Sequence, residues 1–180
     1  MTVPPFPLPL PDPVLADGDL HLRPWEPADA PVLAEAWADE EIARWTGVPE
    51  DHDEAAAARW IAGDQQRRER GLSLDLVAIV DDVIVGEVGL SDIDPTARTA
   101  EIGWWVVGHR RGRGLATRAA ALLAEWAVSE LSIDTVVARC RRDNPASAGV
   151  ARAAGFRPAG ADGDTEAWSL SSDPGATLGP

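Results

Sequence analysis

Four groups of residues in this 180-residue chain carry side chains that could do chemistry. The first is Arg110-Arg111-Gly112-Arg113-Gly114, where glycines that let a backbone turn sharply alternate with cations that can neutralise a phosphate. The second is a pair of carboxylates, Glu87 and Glu101. Each lies in an apolar, β-rich stretch, where an acid is unusual unless it faces water, an arginine or a site. The third is Asn144-Pro145-Ala146-Ser147, which reads as a helix start with Asn144 as N-cap and Ser147 in the first turn. The fourth is Cys140, alone and at the end of a strand, and more a core residue than a nucleophile because no histidine is placed to activate it. His21, His52 and His109 are scattered and form no metal-ligand pattern.

The elements that must position these groups can be read from the same sequence. Glu101 to Val107 is a strand, Gly108 to Gly114 a tight loop, and the helix that follows shows an apolar face at Leu115, Ala119, Leu122, Leu123 and Trp126. The free N–H groups and positive dipole end of a helix start make this loop an anion site. Upstream, Leu20–Trp25 alternates as a strand. Pro27 and Asp29 open a helix carrying Val32, Leu33, Ala36 and Trp37. A second helix is expected from Asp51, capped by Glu54, to Arg70, with Gly71 as its stop. Leu74–Val80 and Val83–Leu90 form a hairpin across Asp81-Asp82, and Ser91–Thr99 reads as a polar loop. Ile133–Cys140 is a strand, the Asn144 helix runs to Gly155, and short strands begin at Phe156 and at Ala167. The expected class is α/β: a mixed sheet of six to seven strands with about four helices. The expected organisation is a proline-rich arm over residues 1–17, one domain over 18–172 and a loose tail over 173–180. A doubly wound nucleotide fold would place its glycine loop after the first strand, not after residue 107.

Composition sets outer bounds. The formal net charge is −14, all basic side chains are arginine, and residues 110–157 hold nine of the sixteen against four acids. That basic island in an acidic body suits a polyanionic small ligand better than a nucleic acid, for which stacking Phe or Tyr beside the arginines is also missing. No apolar run approaches the ~18 residues of a membrane span. The proline-broken N-terminus lacks the basic region of a signal peptide, and one cysteine fits a reducing cytoplasm.

The run Arg111-Gly112-Arg113-Gly114-Leu115-Ala116 resembles the Arg/Gln-x-x-Gly-x-Gly/Ala signature of the GCN5-related N-acetyltransferases. Asn144-x-x-Ser147-x-x-Val150 with Gly155-Phe156, and Leu22-Arg23-Pro24 with Asp29-Ala30, are similar to the branch containing the ribosomal-protein N-terminal acetyltransferases. The three motifs stand in the family's order across about residues 18–171. The resemblance implies the acyl-CoA N-acyltransferase fold and transfer of acetyl from acetyl-CoA, without a metal, to an amine on a protein N-terminus or a small molecule. It implies that residues 112–117 (Gly112, Arg113, Gly114, Leu115, Ala116, Thr117) hold the pyrophosphate with Arg111. It also implies that Val106 and Val107 meet the pantetheine arm, that a backbone N–H near Val106 faces the oxyanion, and that Asn144 touches the cofactor. Glu87 and Glu101 remain alternative bases. Ser147 matches a serine proposed as acid, a role for which this chain has no tyrosine. The other reading is a CoA-binding module of the same fold without turnover. The expected partners are the amine acceptor, with no nucleic acid or membrane, and a second copy as a homodimer.

Overall fold

A computed structural model describes residues 7–172, so the expected tail, and the first six residues of the arm, lie outside the described residues. The strands are β1 (Leu15–Asp17), β2 (Leu20–Pro24), β3 (Leu74–Val80), β4 (Val83–Asp94), β5 (Thr99–Val106), β6 (Thr135–Arg141), β7 (Arg157–Asp162) and β8 (Thr165–Ser171). The helices are α1 (Ala30–Trp37), α2 (Glu40–Trp45), α3 (Glu54–Ala62), α4 (Asp64–Glu69), α5 (Leu115–Glu130) and α6 (Pro145–Ala153). One sheet runs in the order β1-β2-β3-β4-β5-β6-β8-β7. All neighbours are antiparallel except β5 and β6, which are parallel.

Strand alternation divides the core in two. Leu76, Ala78, Val88, Ile102 and Val136 point to the face covered by α5 and α6. Val77, Ile79 and Trp105 point to the other, where they meet α1, α3 and the indoles of Trp25 and Trp37. Glu87 stands opposite Val77 on one side and Trp105 on the other, so it belongs to this second face.

The expected mixed α/β sheet is present, with differences that have local causes. The segment before Leu20 is not a free arm: Leu15–Asp17 adds an edge strand, and Arg118 from α5 binds Asp17 and reaches Asp19 Oδ1 at 2.8 Å. Further upstream, Leu8 is only 1% exposed and its N–H donates to the Arg68 carbonyl at 3.0 Å. The expected long helix from Asp51 is capped two residues later, by Asp53 accepting from Ala56 N at 2.7 Å, and it breaks at Gly63 into α3 and α4. Ser91–Thr99 is not all loop: β4 continues to Asp94, whose side chain then accepts from Thr96 N and Ala97 N to form the turn. Asp81 and Asp82 form the β3–β4 turn, both at positive φ, which is the turn geometry that suits a two-residue hairpin.

Deleting the buried Leu8 side chain should leave a cavity in the α5-side core. Leu8→Ala is therefore expected to lower stability by ~2–5 kcal/mol in urea unfolding, and an unchanged midpoint would show that the segment does not dock.

Candidate active site

The strands β5 and β6 pair only through Thr99–Thr135, Ala100–Val136 and Glu101–Val137. Beyond Glu101 they separate. In this part of β5 the Trp105 carbonyl and the Val107 N–H face β4: a Cβ on Gly86 would collide with the former, and the latter donates to the Val85 carbonyl at 3.0 Å. Alternation therefore turns the backbone groups of Trp104 and Val106 into the gap.

Two cavities meet there. The larger, about 500 Å³, runs from Trp104 and Val106 past Arg111, Gly112 and Gly114 to the start of α5 and across to Asn144. The smaller, about 310 Å³, lies over Glu87, Gly89, Asp75 and Glu101, with walls from Trp37 and Trp60. Trp45, Thr46, Trp104, Trp105, Arg139 and Ser147 line both. The gap between β5 and β6 thus joins a basic, loop-lined chamber to an acidic, tryptophan-lined one.

The basic chamber follows the sequence closely. Gly112 and Gly114 both adopt positive φ, +74° and +75°, where a β-carbon is strained. Gly114 is the N-cap of α5 and makes no side-chain cap, so the first N–H groups of a sixteen-residue helix face the chamber. Leu115, Ala116 and Thr117 line it as well. Arg111 is more tightly held than its sequence suggests: Nε donates to the Val106 carbonyl at 2.9 Å and Nη2 to Asp39 Oδ2 at 2.9 Å. Asp39 in turn caps α2, accepting from Glu41 N and Ile42 N. Val107 and Arg113 are not brought to the chamber wall, and the Val107 N–H is spent on β4. Arg110 lines it, as expected of a loop cation, and so do Arg139 and Arg141, which from sequence are only part of an arginine-rich island. Asn144 caps α6, its Oδ1 accepting from Ser147 N at 3.2 Å. The Ser147 hydroxyl shares a hydrogen bond with Cys140 Sγ at 3.3 Å, and burial pushes the Cys140 thiol up, keeping it protonated.

The acidic chamber distinguishes the two carboxylates. Glu101 accepts from Arg139 Nε at 2.8 Å in an ion pair at the mouth of the gap. Glu87 has no cation in contact. Trp25 Nε1 donates to its Oε2 at 2.7 Å and Trp105 Nε1 to its Oε1 at 3.0 Å. The two indoles stand 6.3 Å apart, tilted by 30°. Loss of water and the nearby Asp75 carboxylate raise Glu87 from an ordinary 4.5 to about 8, against the opposing effect of the two indole N–H groups. Trp25 and Asp75 went unassigned from sequence, although Asp75 carries the signal that singled out Glu87, an acid inside an apolar strand. Among the described residues no group of metal-ligating side chains gathers, and no helix is long and apolar enough to cross a membrane.

A split mixed sheet with a glycine–arginine anion loop at the split defines an acyl-CoA-type transferase fold. The sequence profile of the acetyltransferase (GNAT) domain matches residues 19–157, and the chain belongs to that family. It is 29% identical over 96 residues to the ribosomal-protein-serine acetyltransferase of Escherichia coli K12, a match covering 53% of this chain and 54% of that protein, about half its length. It is 25% identical over 143 residues to an uncharacterized N-acetyltransferase of Bacillus licheniformis, p20, covering 78% and 80% of the two chains. Among solved structures, RimJ of Mycobacterium smegmatis in complex with CoA-disulfide superimposes with a TM-score of 0.77 at 23% identity, over 85% of this chain and 82% of that one.

A buried acid that resists ionisation weakens the fold once pH rises above its unfolded value. Glu87 should therefore subtract stability progressively from about pH 4.5 to about pH 8. Glu87→Gln is expected to leave Tm nearly unchanged at pH 4 and to raise it increasingly toward pH 8. A constant difference across this range, measured by calorimetry, would contradict the assignment.

Proposed function

We propose that this protein transfers an acetyl group from acetyl-CoA to an amine, with the basic chamber holding the cofactor and the acidic chamber the acceptor. The observation that carries the reading is the junction of the two cavities at the unpaired edge of β5. A thioester lying along that edge would have the cofactor's phosphates behind it and a carboxylate in front.

The chain's residues divide the work as follows. The N–H groups at the start of α5, with Gly112, Gly114 and Thr117, receive the pyrophosphate. The helix end supplies partial positive charge and Arg110 a full one. Arg111 fixes the loop to Val106 and Asp39 rather than reaching out. The backbone of Trp104 and Val106 meets the pantetheine arm, and the Val106 N–H is the donor available to a developing oxyanion. Asn144 serves α6 first, and its half-buried amide, in the chamber wall, contacts the cofactor. Glu87 accepts one proton from the ammonium form of the amine, freeing the lone pair that bonds to the thioester carbon. The carbon–sulfur bond then breaks, and the sulfur leaves as a thiolate, which takes up the nitrogen's second proton through the Ser147 hydroxyl or water. With a thiol pKa near ~8.5, that leaving group needs little help, which the Ser147 hydroxyl or water can give. Glu101, already paired with Arg139, acts on the electrostatics of the gap.

The acceptor we favour is a protein α-amine. Its pKa of ~7.7–8.0 lies beside that of Glu87, so proton transfer between them is nearly balanced, whereas a lysine amine at ~10.4 would hold its proton against this base. The likeness to a ribosomal-protein-serine acetyltransferase supports the same choice.

Thermal melting tests the cofactor. Acetyl-CoA and CoA at 100 times their dissociation constants should each stabilise the fold by ~2.7 kcal/mol, while ATP should not. Gly114→Asp, which adds bulk and negative charge at a positive-φ position beside the phosphates, should remove that shift. Unchanged affinity in this variant would misplace the site. Binding without acetylation of any alanine- or serine-initiated peptide would leave a CoA-binding module.

A further inference from the structure

The acidic chamber holds a second, half-buried carboxylate that the reaction above does not use. Asp75 pairs with Gly89 across β3 and β4, and Glu87 pairs with Val77, so the two acids are diagonal neighbours on one face of the sheet. No side chain separates them: a Cβ on Gly89 would lie 2.5 Å from Asp75 Oδ1. Both open on the same cavity.

Their partners are unequal. Ser73 Oγ donates to Asp75 Oδ2 at 2.8 Å, and Arg67 Nε stands 3.7 Å from the same oxygen. Arg67 comes from α4, stacks 4.2 Å over the Trp60 ring and donates to the Trp60 carbonyl at 2.8 Å. Its remaining charge is divided. Nη2 lies 3.9 Å from Asp64 Oδ1, and neither Nε nor Nη2 reaches a hydrogen-bond partner. Asp64 has a second cation, Arg68 Nε at 3.1 Å. The other charges near Glu87 are spoken for. Glu101 and Arg139 pair with each other, and Arg23, two strands away in the same row, is bound to Asp29 at 2.7 and 3.0 Å. The rest of the wall is uncharged: five tryptophans, with Thr46, Ser91, Ser147 and small or aliphatic residues between them. Glu87 therefore faces the like charge of Asp75, which raises it more than the Arg67 cation behind Asp75 lowers it.

We propose that Asp75 is a positioning residue for the acetyl transfer: its carboxylate, seated over Gly89 in the acceptor cavity, makes Glu87 the stronger proton acceptor of the two. The inference rests on the reading of Glu87 as base. Of two carboxylates sharing one site, the one nearer a cation ionises first and the other keeps its proton to higher pH. Arg67, 3.7 Å from Asp75 and not in contact with Glu87, makes Asp75 the first. Its charge then disfavours a second negative charge on Glu87, and it favours a cationic amine entering between them. A weaker base would be ionised at lower pH but would draw the amine's proton less strongly.

The test is a titration of the full chain labelled with ¹³C at the glutamate side-chain carboxyls, with Glu87→Gln identifying the Glu87 resonance. Its midpoint should lie near pH 8 in the wild type. It should fall by about one to two units in Asp75→Asn, which keeps the shape and the Ser73 contact but removes the charge. In parallel, the acid limb of kcat/KM with acetyl-CoA and an alanine-initiated peptide should move to lower pH in Asp75→Asn and return in Asp75→Glu. Should Asp75→Asn not fold, Asp75→Ser removes the same charge and carries the same expectation. An unmoved Glu87 midpoint in a folded Asp75 variant would overturn the proposal. Wild-type rates in Glu87→Gln would instead overturn the base reading, and the carboxyl titration would still decide the link between the two acids.

Discussion

The parting of β5 from β6 is the constraint on which the site depends. A parallel pair that stopped nowhere would satisfy every backbone group of both strands and leave no room between the sheet's two faces. Here pairing ends at Glu101–Val137, so Trp104 and Val106 keep polar backbone groups that no strand satisfies, and of these the Val106 carbonyl is taken by Arg111. The other groups there have no strand partner, and such groups are rarely left unpaired in a native protein. They mark where another extended, amide-bearing chain can add itself to the strand. The loop and α5 follow directly from the end of β5, which brings their N–H groups to the same gap. On the opposite flank, β6 delivers Arg139 and Arg141, and α6 delivers Ser147. The two chambers are the two sides of one interruption.

The acidic chamber is stabilised by means other than charge pairing. Burying Glu87 against two indoles satisfies its oxygens without supplying a counter-charge, so the side chain is well placed but unwilling to ionise. That arrangement is unfavourable for folding from about pH 4.5 upward, the kind of local conflict expected where a side chain is retained for chemistry. The surrounding tryptophans offset it by burial. Trp25, Trp37 and Trp60 meet edge to face at 6.2–6.3 Å, and Trp25 and Trp105 lie tilted against each other. Thus the residues that hold Glu87 in place also form much of the second core.

How much of this could be read from the chain varied with the range of the interaction. The glycine loop, α5, Asn144 as a cap and the β3–β4 turn are set by neighbours in sequence, and each lies where its residues predict. Family likeness extended this to the sheet as a whole. What failed was the irregular and the distant. Gly63 breaks a helix whose periodicity runs on past it. Leu15–Asp17 is a strand because β2 offers an edge and Arg118 a clamp, some hundred positions along the chain. The indole of Trp25 meets Glu87 across 62 residues, and no spacing rule connects them. Arg111 looked like a free cation because its partner, Asp39, is equally remote.

That last contact joins things usually described apart. Through Arg111, the loop that lines the basic chamber is tied to the N-terminus of α2, and α2 ends in Trp45, which walls both chambers. The Arg111 guanidinium thus ties the loop to a wall that both chambers share. Thermodynamic linkage makes such a connection symmetrical for binding: whatever factor one substrate adds to the affinity of the other, it receives in return. A change in either chamber that moved Arg111 would therefore be felt equally in the other, whichever is filled first.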